Sequence, residues 1–253
     1  MNIQLIRNAT LVLHYADKKF LIDPFLSDQG AMPPFPNTAN QHLSNPTVGL
    51  STSINEIIDV DAVIVTHLHP DHFDEKAKEV LPKEIMIYAQ NREDVEVIKE
   101  KGFQNVVSLE KESSFADVTL SRTEGKHGEG EILKQTGKVS GIAFSHPHEK
   151  TLYVAGDTLF NEDVRTAIQK HKPAVIVVNA GAAQFLEGGP ITMTKENVVE
   201  TYQESPDATT IVAVHMESLN HCLLTRDELK QFIEEKDLLN KVLIPDDGQT
   251  LSF

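Results

Sequence analysis

Apolar and polar positions divide the chain into two parts with different patterns. Residues 2–6 and 10–15 alternate or run apolar, and residues 20–22 return after a polar turn, which is typical of a β-hairpin. Further along, apolar runs such as 174–178 alternate with amphipathic stretches such as 194–203, which predicts strands alternating with helices. The two parts together favour an α+β fold. We expect a four-layer αββα sandwich of two mixed β-sheets that pack face to face, with helices on both outer faces.

One long segment breaks this pattern. From Leu26 to about Ser53 the sequence has no clear periodicity, contains four prolines and is rich in Asn, Ser and Thr. A connection of this length is longer than the fold requires, and such loops are usually functional or disordered. We interpret residues 26–53 as a flap near a functional site, with disorder as the alternative. The chain as a whole, residues 1–253, is expected to form a single domain.

Composition limits the class of protein and its partners. A formal net charge of −15 argues against nucleic acid, since that binding depends on basic surface. No apolar run is long enough to span a bilayer and no signal peptide is recognisable, so no membrane partner is expected. The single cysteine, Cys222, cannot form a disulfide within the chain, and a cytoplasmic location is expected. The expected partner is a small-molecule substrate, and homo-oligomer formation is left open.

A cluster of ligand-type residues follows the buried strand predicted at residues 62–65. His67, His69, Asp71 and His72 lie within six positions. Neutral imidazole and carboxylate groups are the ligands of zinc and related metals. The spacing turns His67 and His69 the same way, whereas Asp71 and His72 come from the next turn, which suits two adjacent metal ions better than one. The alternative is a polar loop with an accidental run of histidines.

Three more candidates each follow a predicted strand. His127 lies in a glycine-rich loop, Asp157 follows the apolar run 152–154, and His215 follows residues 211–213. Each has an ordinary alternative, namely a solvent-exposed loop histidine, a helix N-cap and a structural histidine at the mouth of the sheet. Because all three come after buried strands, we expect them on one rim of the sandwich, where the first cluster also ends.

The order of these residues resembles the motif of the metallo-β-lactamase superfamily of metallohydrolases. The pattern H-x-H-x-D-H, followed by H, D and H, is matched across essentially the whole chain by His67, His69, Asp71, His72, His127, Asp157 and His215. Many relatives have Gly-His where this chain has Arg7-Asn8. Within the superfamily, residues 214–222 followed by Thr225-Arg226 resemble the branch that contains ascorbate-6-phosphate lactonase, which is a less specific match.

The resemblance implies a centre of two divalent metal ions, with zinc as the first choice and manganese as the alternative. The first ion would be held by His67, His69 and His127, the second by Asp71, His72 and His215, and both by the bridging carboxylate of Asp157. Two metal ions that share a water lower its pKa from about 16 to near neutrality, which gives a nucleophilic hydroxide. Such a hydroxide attacks a carbonyl or phosphoryl centre without a serine or cysteine nucleophile.

Four residues are candidates for supporting roles. His221 is proposed as a catalytic residue, either binding substrate or acting as a general acid, with an ordinary structural histidine as an equal alternative. Asp71 is a second candidate for the acid. Asp23 could orient a metal ligand, with a turn-forming Asp before proline as an equal alternative. Arg226 could contact an anionic substrate, but an exposed arginine at a helix start is favoured.

The leading hypothesis is a metal-dependent hydrolase, an enzyme of the lactonase or esterase type. A metal-bridging hydroxide would open a small lactone or cleave another ester, phosphorylated or not. The alternatives are a phosphodiesterase acting on a small nucleotide or lipid-derived diester, and a non-enzymatic metal-dependent sensor on the same scaffold. The complete ligand set argues against the sensor, since such proteins often lose ligands.

Overall fold

Two seven-stranded β-sheets form the centre of the computed structural model, which describes residues 1–253. The first sheet contains β1 (Asn2–Arg7), β2 (Thr10–Tyr15), β3 (Lys18–Ile22), β4 (Ala62–Val65), β5 (Met86–Ala89), β6 (Asn105–Ser108) and β14 (Thr250–Ser252). The second contains β7 (Ser113–Phe115), β8 (Val118–Glu124), β9 (Ser140–Ser145), β10 (Leu152–Val154), β11 (Val175–Asn179), β12 (Thr210–Val214) and β13 (Val242–Leu243). Each sheet mixes antiparallel and parallel pairs, as the sequence predicts.

Seven α-helices accompany the sheets. They are α1 (Ile54–Ile57), α2 (Glu75–Val80), α3 (Arg92–Glu100), α4 (Leu133–Thr136), α5 (Glu162–His171), α6 (Lys195–Gln203) and α7 (Arg226–Glu234), with a 3-10 helix over Gly130–Ile132. The side chains of Thr194 and Thr225 cap α6 and α7 by accepting hydrogen bonds from backbone N–H groups of the first turn. None of the helices combines the length and the apolar character needed to cross a membrane.

The order of the strands explains the change of pattern along the sequence. The first sheet has the order β14-β1-β2-β3-β4-β5-β6, antiparallel from β14 to β3 and parallel from β3 to β6. The second has the order β13-β12-β11-β10-β9-β8-β7, parallel from β10 to β13 and antiparallel from β7 to β10. The strands β4 and β11 are buried along their whole length, which explains their unbroken apolar sequences.

Three apolar clusters separate the four layers. The central cluster joins the inner faces of the two sheets, for example Ile64 of β4 and Val177 of β11. A second cluster packs α5, α6 and α7 on the second sheet through residues such as Val164 and Leu229. A third packs α2 and α3 on the first sheet through residues such as Val95. Both sheets are therefore covered on both faces, and the predicted αββα sandwich is confirmed.

The carboxyl ends of four strands meet at one rim of the sandwich. The strand β4 ends just before His67, β8 before the loop of residues 125–130, β10 before Asp157 and β12 directly before His215. In the second sheet β8 and β10 both run antiparallel to β9, and β10 to β12 are parallel, so β8, β10 and β12 point the same way. The ligand atoms that follow these ends lie close together, as the strand-end pattern predicts.

The segment 26–53 is a loop whose two ends are bonded to the same residue of the first strand. The buried guanidinium of Arg7 donates hydrogen bonds to the carbonyl oxygens of Phe25, Ser27 and Val48, at both ends of the segment. Burial lowers the pKa of Arg7 to about 10, so the group is still charged at neutral pH. Hydrogen bonds from a charged donor are stronger than neutral ones, and they fix the ends of this loop on the first strand.

Four short elements are absent from the sequence-based assignment, namely α1, β7, α4 and the 3-10 helix. Each has only three or four residues. None of them contains an unbroken apolar run like those of β4 and β10, and a helical period needs a longer window to be recognised.

Candidate metal centre

The loop after β4 is held by a buried carboxylate at the end of β3. Asp23 accepts hydrogen bonds from the backbone N–H of Thr66 at 2.8 Å and from its hydroxyl at 2.7 Å. The same carboxylate lies 2.8 Å from Nδ1 of His72. Because a carboxylate only accepts, His72 donates from Nδ1 and keeps the lone pair of Nε2 for a metal ion. Asp23 therefore orients a candidate ligand, as one of its two sequence-based readings predicts.

Two other histidines have the same orientation. Nδ1 of His67 contacts the hydroxyl of Thr66 at 3.1 Å. Nδ1 of His127 donates to the carbonyl oxygen of Ile191 at 2.7 Å. His127 is also only 2% exposed, so it is not the solvent-exposed loop histidine of the alternative reading. In each residue the contact at Nδ1 leaves Nε2 as the free ligand atom.

Buried nitrogen atoms without a partner converge at this place. Nε2 of His67, His72 and His215 is buried and makes no hydrogen bond. Nδ1 of His215 lies 3.5 Å from Sγ of Cys222, so this ring is also held from its other side. A buried polar atom without a partner costs about 1–3 kcal/mol. Three such atoms at one place are accounted for if they are metal ligands, and the donor set of imidazole and carboxylate fits zinc and related ions.

The seven candidate ligands form two groups. The first contains His67, His69 and His127, and the second contains Asp71, His72, Asp157 and His215; within each group the ligand atoms lie within 4.8 Å of one another. Six of the seven residues are buried, and His69 is partly exposed. Solvent therefore reaches the centre most easily beside His69.

Asp157 lies between the two groups. Its Oδ2 is 3.3 Å from Nε2 of His72 and 3.4 Å from Nε2 of His127. Its Oδ1 is 3.6 Å from Nε2 of His215 and accepts a hydrogen bond of 2.6 Å from Nδ2 of Asn179, the last residue of β11. A carboxylate in this position can contribute one oxygen to a metal ion in each group.

Asp71 and His215 are joined through Asn8, which stands where many superfamily members have histidine. Oδ2 of Asp71 lies 3.3 Å from Nε2 of His215. Nδ2 of Asn8 donates to the backbone carbonyl of Asp71 at 3.0 Å, and the carbonyl of Asn8 accepts from the N–H of His215 at 2.9 Å. Asn8 has φ of 53°, a conformation that asparagine adopts more readily than most residues. The departure from the superfamily motif therefore still fixes two candidate ligands relative to each other.

The two groups differ in charge. Burial lowers the pKa of His67 well below its usual value and that of His127 to about 4, so both are neutral at neutral pH. Burial acts in the same direction on His72, but neighbouring carboxylates, led by that of Asp157, raise its pKa to about 10. The pKa of His215 is likewise raised well above its usual value, because Asp157 and other neighbours outweigh burial. The second group therefore attracts positive charge more strongly than the first.

His221 lies beside the centre as a buried, neutral imidazole. It is 7% exposed, and its ring packs edge-on against the ring of Phe35 with centroids 4.6 Å apart. Burial lowers the pKa of His221 to about 4. At neutral pH it can donate one hydrogen bond from the uncharged ring, as neutral imidazoles do in some enzymes. The pKa of Asp71 is below its usual range, because the pull of His72 outweighs burial, so Asp71 is ionised.

Two other sequence-based readings are corrected. Asp157 is not the N-cap of α5, because Oδ1 of Asn161 accepts the hydrogen bond from the first turn of that helix. Arg226 is neither an exposed arginine nor a free cation for an anionic substrate. Its guanidinium binds the carboxylates of Glu217 and Asp247. These ion pairs join α7 to the loop after β12 and to the loop before β14.

The structure also identifies supporting residues that the sequence analysis missed. Asn179 follows a buried apolar run and ends a strand, which is the same signal that identified Asp157 and His215. Asn220 is fully buried and has no such signal. Its side-chain oxygen accepts from the backbone N–H of Phe35 and from Nδ2 of Asn45, both at 2.9 Å. Because Asn220 directly precedes His221 in the chain, these bonds hold the 26–53 loop close to His221.

The sequence and the structure are similar to those of several known proteins. The model of the beta-lactamase superfamily domain matches residues 18–216. The chain is 49% identical to UPF0173 protein YddR of Bacillus subtilis, over 100% of both chains. Among solved structures, it resembles the isothiocyanate hydrolase from Delia radicum gut bacteria, with a TM-score of 0.96 and 43% identity over 100% of this chain and 99% of that one.

A second solved structure agrees with these relationships. It is that of "a possible metal-dependent hydrolase" from Veillonella parvula, with a TM-score of 0.97 and 34% identity over 100% of this chain and 99% of that one. None of these relatives carries a name from the ascorbate-6-phosphate lactonase branch, so that finer resemblance stays a prediction.

Proposed function

Because the chain belongs to the beta-lactamase superfamily, and within it to the UPF0173 metal-dependent hydrolases, we propose that it hydrolyses a small isothiocyanate at a centre of two divalent metal ions. The convergence of both ligand groups on Asp157 supports the two-metal centre. The substrate class rests on the 43% identity, over the full chain, to an isothiocyanate hydrolase.

The donor set assigns each residue a role toward the metal ions. The first ion would be bound by His67, His69 and His127, the second by Asp71, His72 and His215, and Asp157 would contribute an oxygen to each. Two ions bound by these residues would supply hydroxide from water at neutral pH and would polarise the substrate atom that gains negative charge. Zinc is the first choice for such a histidine-rich site and manganese the alternative.

Water is the only other reactant that the hydrolysis of an isothiocyanate requires. The oxygen of water bonds to the central carbon of R–N=C=S, and one proton goes to the nitrogen, which gives a thiocarbamic acid. The bond between carbon and nitrogen then breaks, the nitrogen takes the remaining proton, and an amine and carbonyl sulfide are released. Neither step needs an oxidant, a reductant or a nucleophilic side chain.

The chain's own residues orient the substrate and move protons. The neutral ring of His221 is suited to donate a hydrogen bond to the nitrogen or sulfur that gains negative charge. Asp71 is ionised, which favours its role as a ligand over that of a proton donor. We expect His221→Asn to lower kcat by about a hundredfold at unchanged metal content, measured by amine release and by metal analysis. Unchanged kcat would remove His221 from the reaction.

A lactone or other ester is the second candidate substrate. The resemblance of residues 214–222 to the lactonase branch favours it, and addition of hydroxide to a carbonyl carbon uses the same groups. A phosphorylated ester is less suited, because Arg226 is already bound to Glu217 and Asp247. The likeness to yeast PDE1, at 12% identity, concerns the fold alone and gives no separate support to a phosphodiesterase.

A direct assay distinguishes the candidates. Protein loaded with zinc or manganese is incubated with benzyl isothiocyanate, γ-butyrolactone and bis(p-nitrophenyl) phosphate, and the products are measured in parallel. We expect amine release to exceed the other two reactions. Turnover of the lactone or the diester alone would replace the proposed substrate class. No turnover of any of them by protein that contains two metal ions would contradict the proposal as a whole.

A further inference from the structure

We propose that Phe35 is a positioning residue for the reaction, because its ring holds the imidazole of His221 in place beside the metal centre, and that Asn220 holds Phe35 there. The inference rests on the proposed function, in which His221 donates a hydrogen bond to the substrate. It gives the 26–53 loop a role in that step, through one aromatic side chain and one buried amide.

The ring of His221 is held differently from those of the candidate ligands. His67, His72 and His127 each have a polar neighbour within hydrogen-bond distance of Nδ1. Nδ1 of His221 is buried and has no hydrogen-bond partner. The ring of Phe35 packs edge-on against this imidazole, with centroids 4.6 Å apart and an angle of 64° between the ring planes. Since rotation about the last side-chain bond of histidine has only a broad preference, this contact sets the plane of the His221 ring.

The backbone of Phe35 is fixed on both sides. Its N–H donates to Oδ1 of Asn220 at 2.9 Å. Its carbonyl accepts from the hydroxyl of Thr38 at 2.6 Å and from Nε2 of Gln41 at 2.7 Å. Because Asn220 directly precedes His221, a peptide bond, a hydrogen bond and the ring contact join three residues in a closed circuit. The backbone of Phe35 is therefore held at a fixed place relative to His221.

Asn220 uses every hydrogen-bonding position of its buried side chain on this loop. Its Oδ1 accepts from the N–H of Phe35 and from Nδ2 of Asn45, both at 2.9 Å. Its Nδ2 donates to the hydroxyl of Thr38 and to the carbonyl of Ala39, both at 2.7 Å. An amide has two lone pairs and two N–H groups, so all four positions are used. A buried amide that is satisfied in this way favours a single conformation of the segment that carries Phe35.

A fixed ring plane matters for a group that donates a hydrogen bond. Such a bond weakens steeply when the angle at the hydrogen falls below about 120°, so the imidazole must direct its N–H at the substrate atom that gains charge. Phe35 is partly exposed, so removal of its ring lets the His221 ring turn into the freed space without leaving a closed cavity. We therefore expect a slower reaction in a protein that still folds.

A double-mutant cycle in the metal-loaded protein tests the assignment. Phe35→Ala should lower kcat for benzyl isothiocyanate by about tenfold, with KM and metal content little changed, because the donor is misaligned and not removed. His221→Asn alone is expected to lower kcat by about a hundredfold. The two changes together should also lower kcat by about a hundredfold, since Phe35 acts only through His221. A loss of about a thousandfold, the product of the separate effects, would overturn the positioning role.

Two further variants distinguish this role from a general loss of structure. Phe35→Leu keeps most of the apolar volume but not the ring, and its effect on kcat should depend on His221 in the same way. Phe232→Ala is the matched control, since Phe232 is also partly exposed but lies on α7, where its ring contacts Lys195 and Lys236. Its kcat should equal that of the wild type. Equal losses of kcat in Phe232→Ala and Phe35→Ala would overturn the assignment.

NMR of protein with labelled histidines separates this inference from the proposed function. The ring current of Phe35 should shift the imidazole C–H signals of His221, which are identified by their loss in His221→Asn. The shift should disappear in Phe35→Ala and persist in Phe232→Ala. If this pattern is seen and no isothiocyanate is hydrolysed, the ring contact stands and only the proposed reaction is wrong. If isothiocyanates are hydrolysed and the signals are the same in Phe35→Ala as in the wild type, only the positioning role is wrong.

Discussion

The two ligand groups form the two halves of the candidate metal centre, and their histidines are held by different kinds of neighbouring group. In the first half, His67 and His127 are held by neutral groups, a hydroxyl and a backbone carbonyl, and burial keeps both neutral. In the second half, His72 is held by the carboxylate of Asp23, and the raised pKa values of His72 and His215 show that carboxylates dominate.

The difference shows how each half would acquire its metal ion. Neutral imidazoles bind a metal ion without first losing a proton, so the first half is ready at neutral pH. In the second half the carboxylates attract any positive charge, and protons compete with the metal ion for the same nitrogen atoms. Asp157 belongs to both halves, so its loss affects both, whereas Asp23 acts on the second half more than on the first.

The largest effect is expected for Asp157, where the two halves meet. Asp157→Ala should lower turnover by roughly a thousandfold or more, because both of the proposed metal ions would lose a ligand. Asp207→Ala, on an exposed aspartate, is the control and should leave turnover unchanged. Activity and thermal unfolding should be measured together. A well-folded Asp157→Ala variant with wild-type turnover would remove the shared carboxylate from the account.

The pH dependence of metal binding should differ between the halves. Because the pKa of His72 is raised to about 10 and that of His215 well above its usual value, metal binding in the second half must release protons at neutral pH. Affinity there should fall as pH falls, by about tenfold per pH unit for each proton released. The first half should change little until pH approaches the lowered pKa of His127, about 4.

Stepwise titration of metal into metal-free protein between about pH 6 and pH 8 measures this difference. Calorimetry in two buffers with different ionisation enthalpies counts the protons released at each step. Equal proton release at both steps would contradict the predicted difference in protonation between the two halves.

A smaller effect is expected for Asp23, which touches no substrate. Asp23→Asn should weaken the more pH-dependent metal site by roughly 10- to 100-fold and leave the other site less affected. The reason is that an amide no longer fixes Nδ1 of His72 as a donor. Asp59→Asn, on an exposed aspartate at the opposite end of the same strand pair, is the control. Equal weakening of both sites would indicate that Asp23 supports the whole loop and not one ligand.

Local sequence was sufficient for the part of the site that is local. His67, His69, Asp71 and His72 lie on one short loop, so their spacing already separated them into two pairs. His127, Asp157 and His215 were recognisable because each follows a buried strand. Each of these signals is ambiguous alone. The three residues become candidate ligands because they follow the first cluster in the same order as in the superfamily motif.

The supporting residues of the site could not be predicted, because their roles depend on contacts between residues that are distant in sequence. Asn8 meets His215, and Asn220 meets Asn45, only after the two sheets have packed. No local pattern distinguishes such an asparagine from one in an ordinary turn. For the same reason the position of Arg226 at a helix start predicts an exposed side chain, although its partners lie in two other loops. The conformation of the 26–53 loop also depends on these contacts, since its own sequence has no period.

The most direct test of the two-part centre is to locate and count its metal ions. A crystal of the metal-loaded protein, with anomalous scattering at the metal edge, should show two ions per chain on either side of the Asp157 carboxylate. One should lie against Nε2 of His127 and the other against Nε2 of His215. A single ion, or a second ion away from Asp157, would contradict the account.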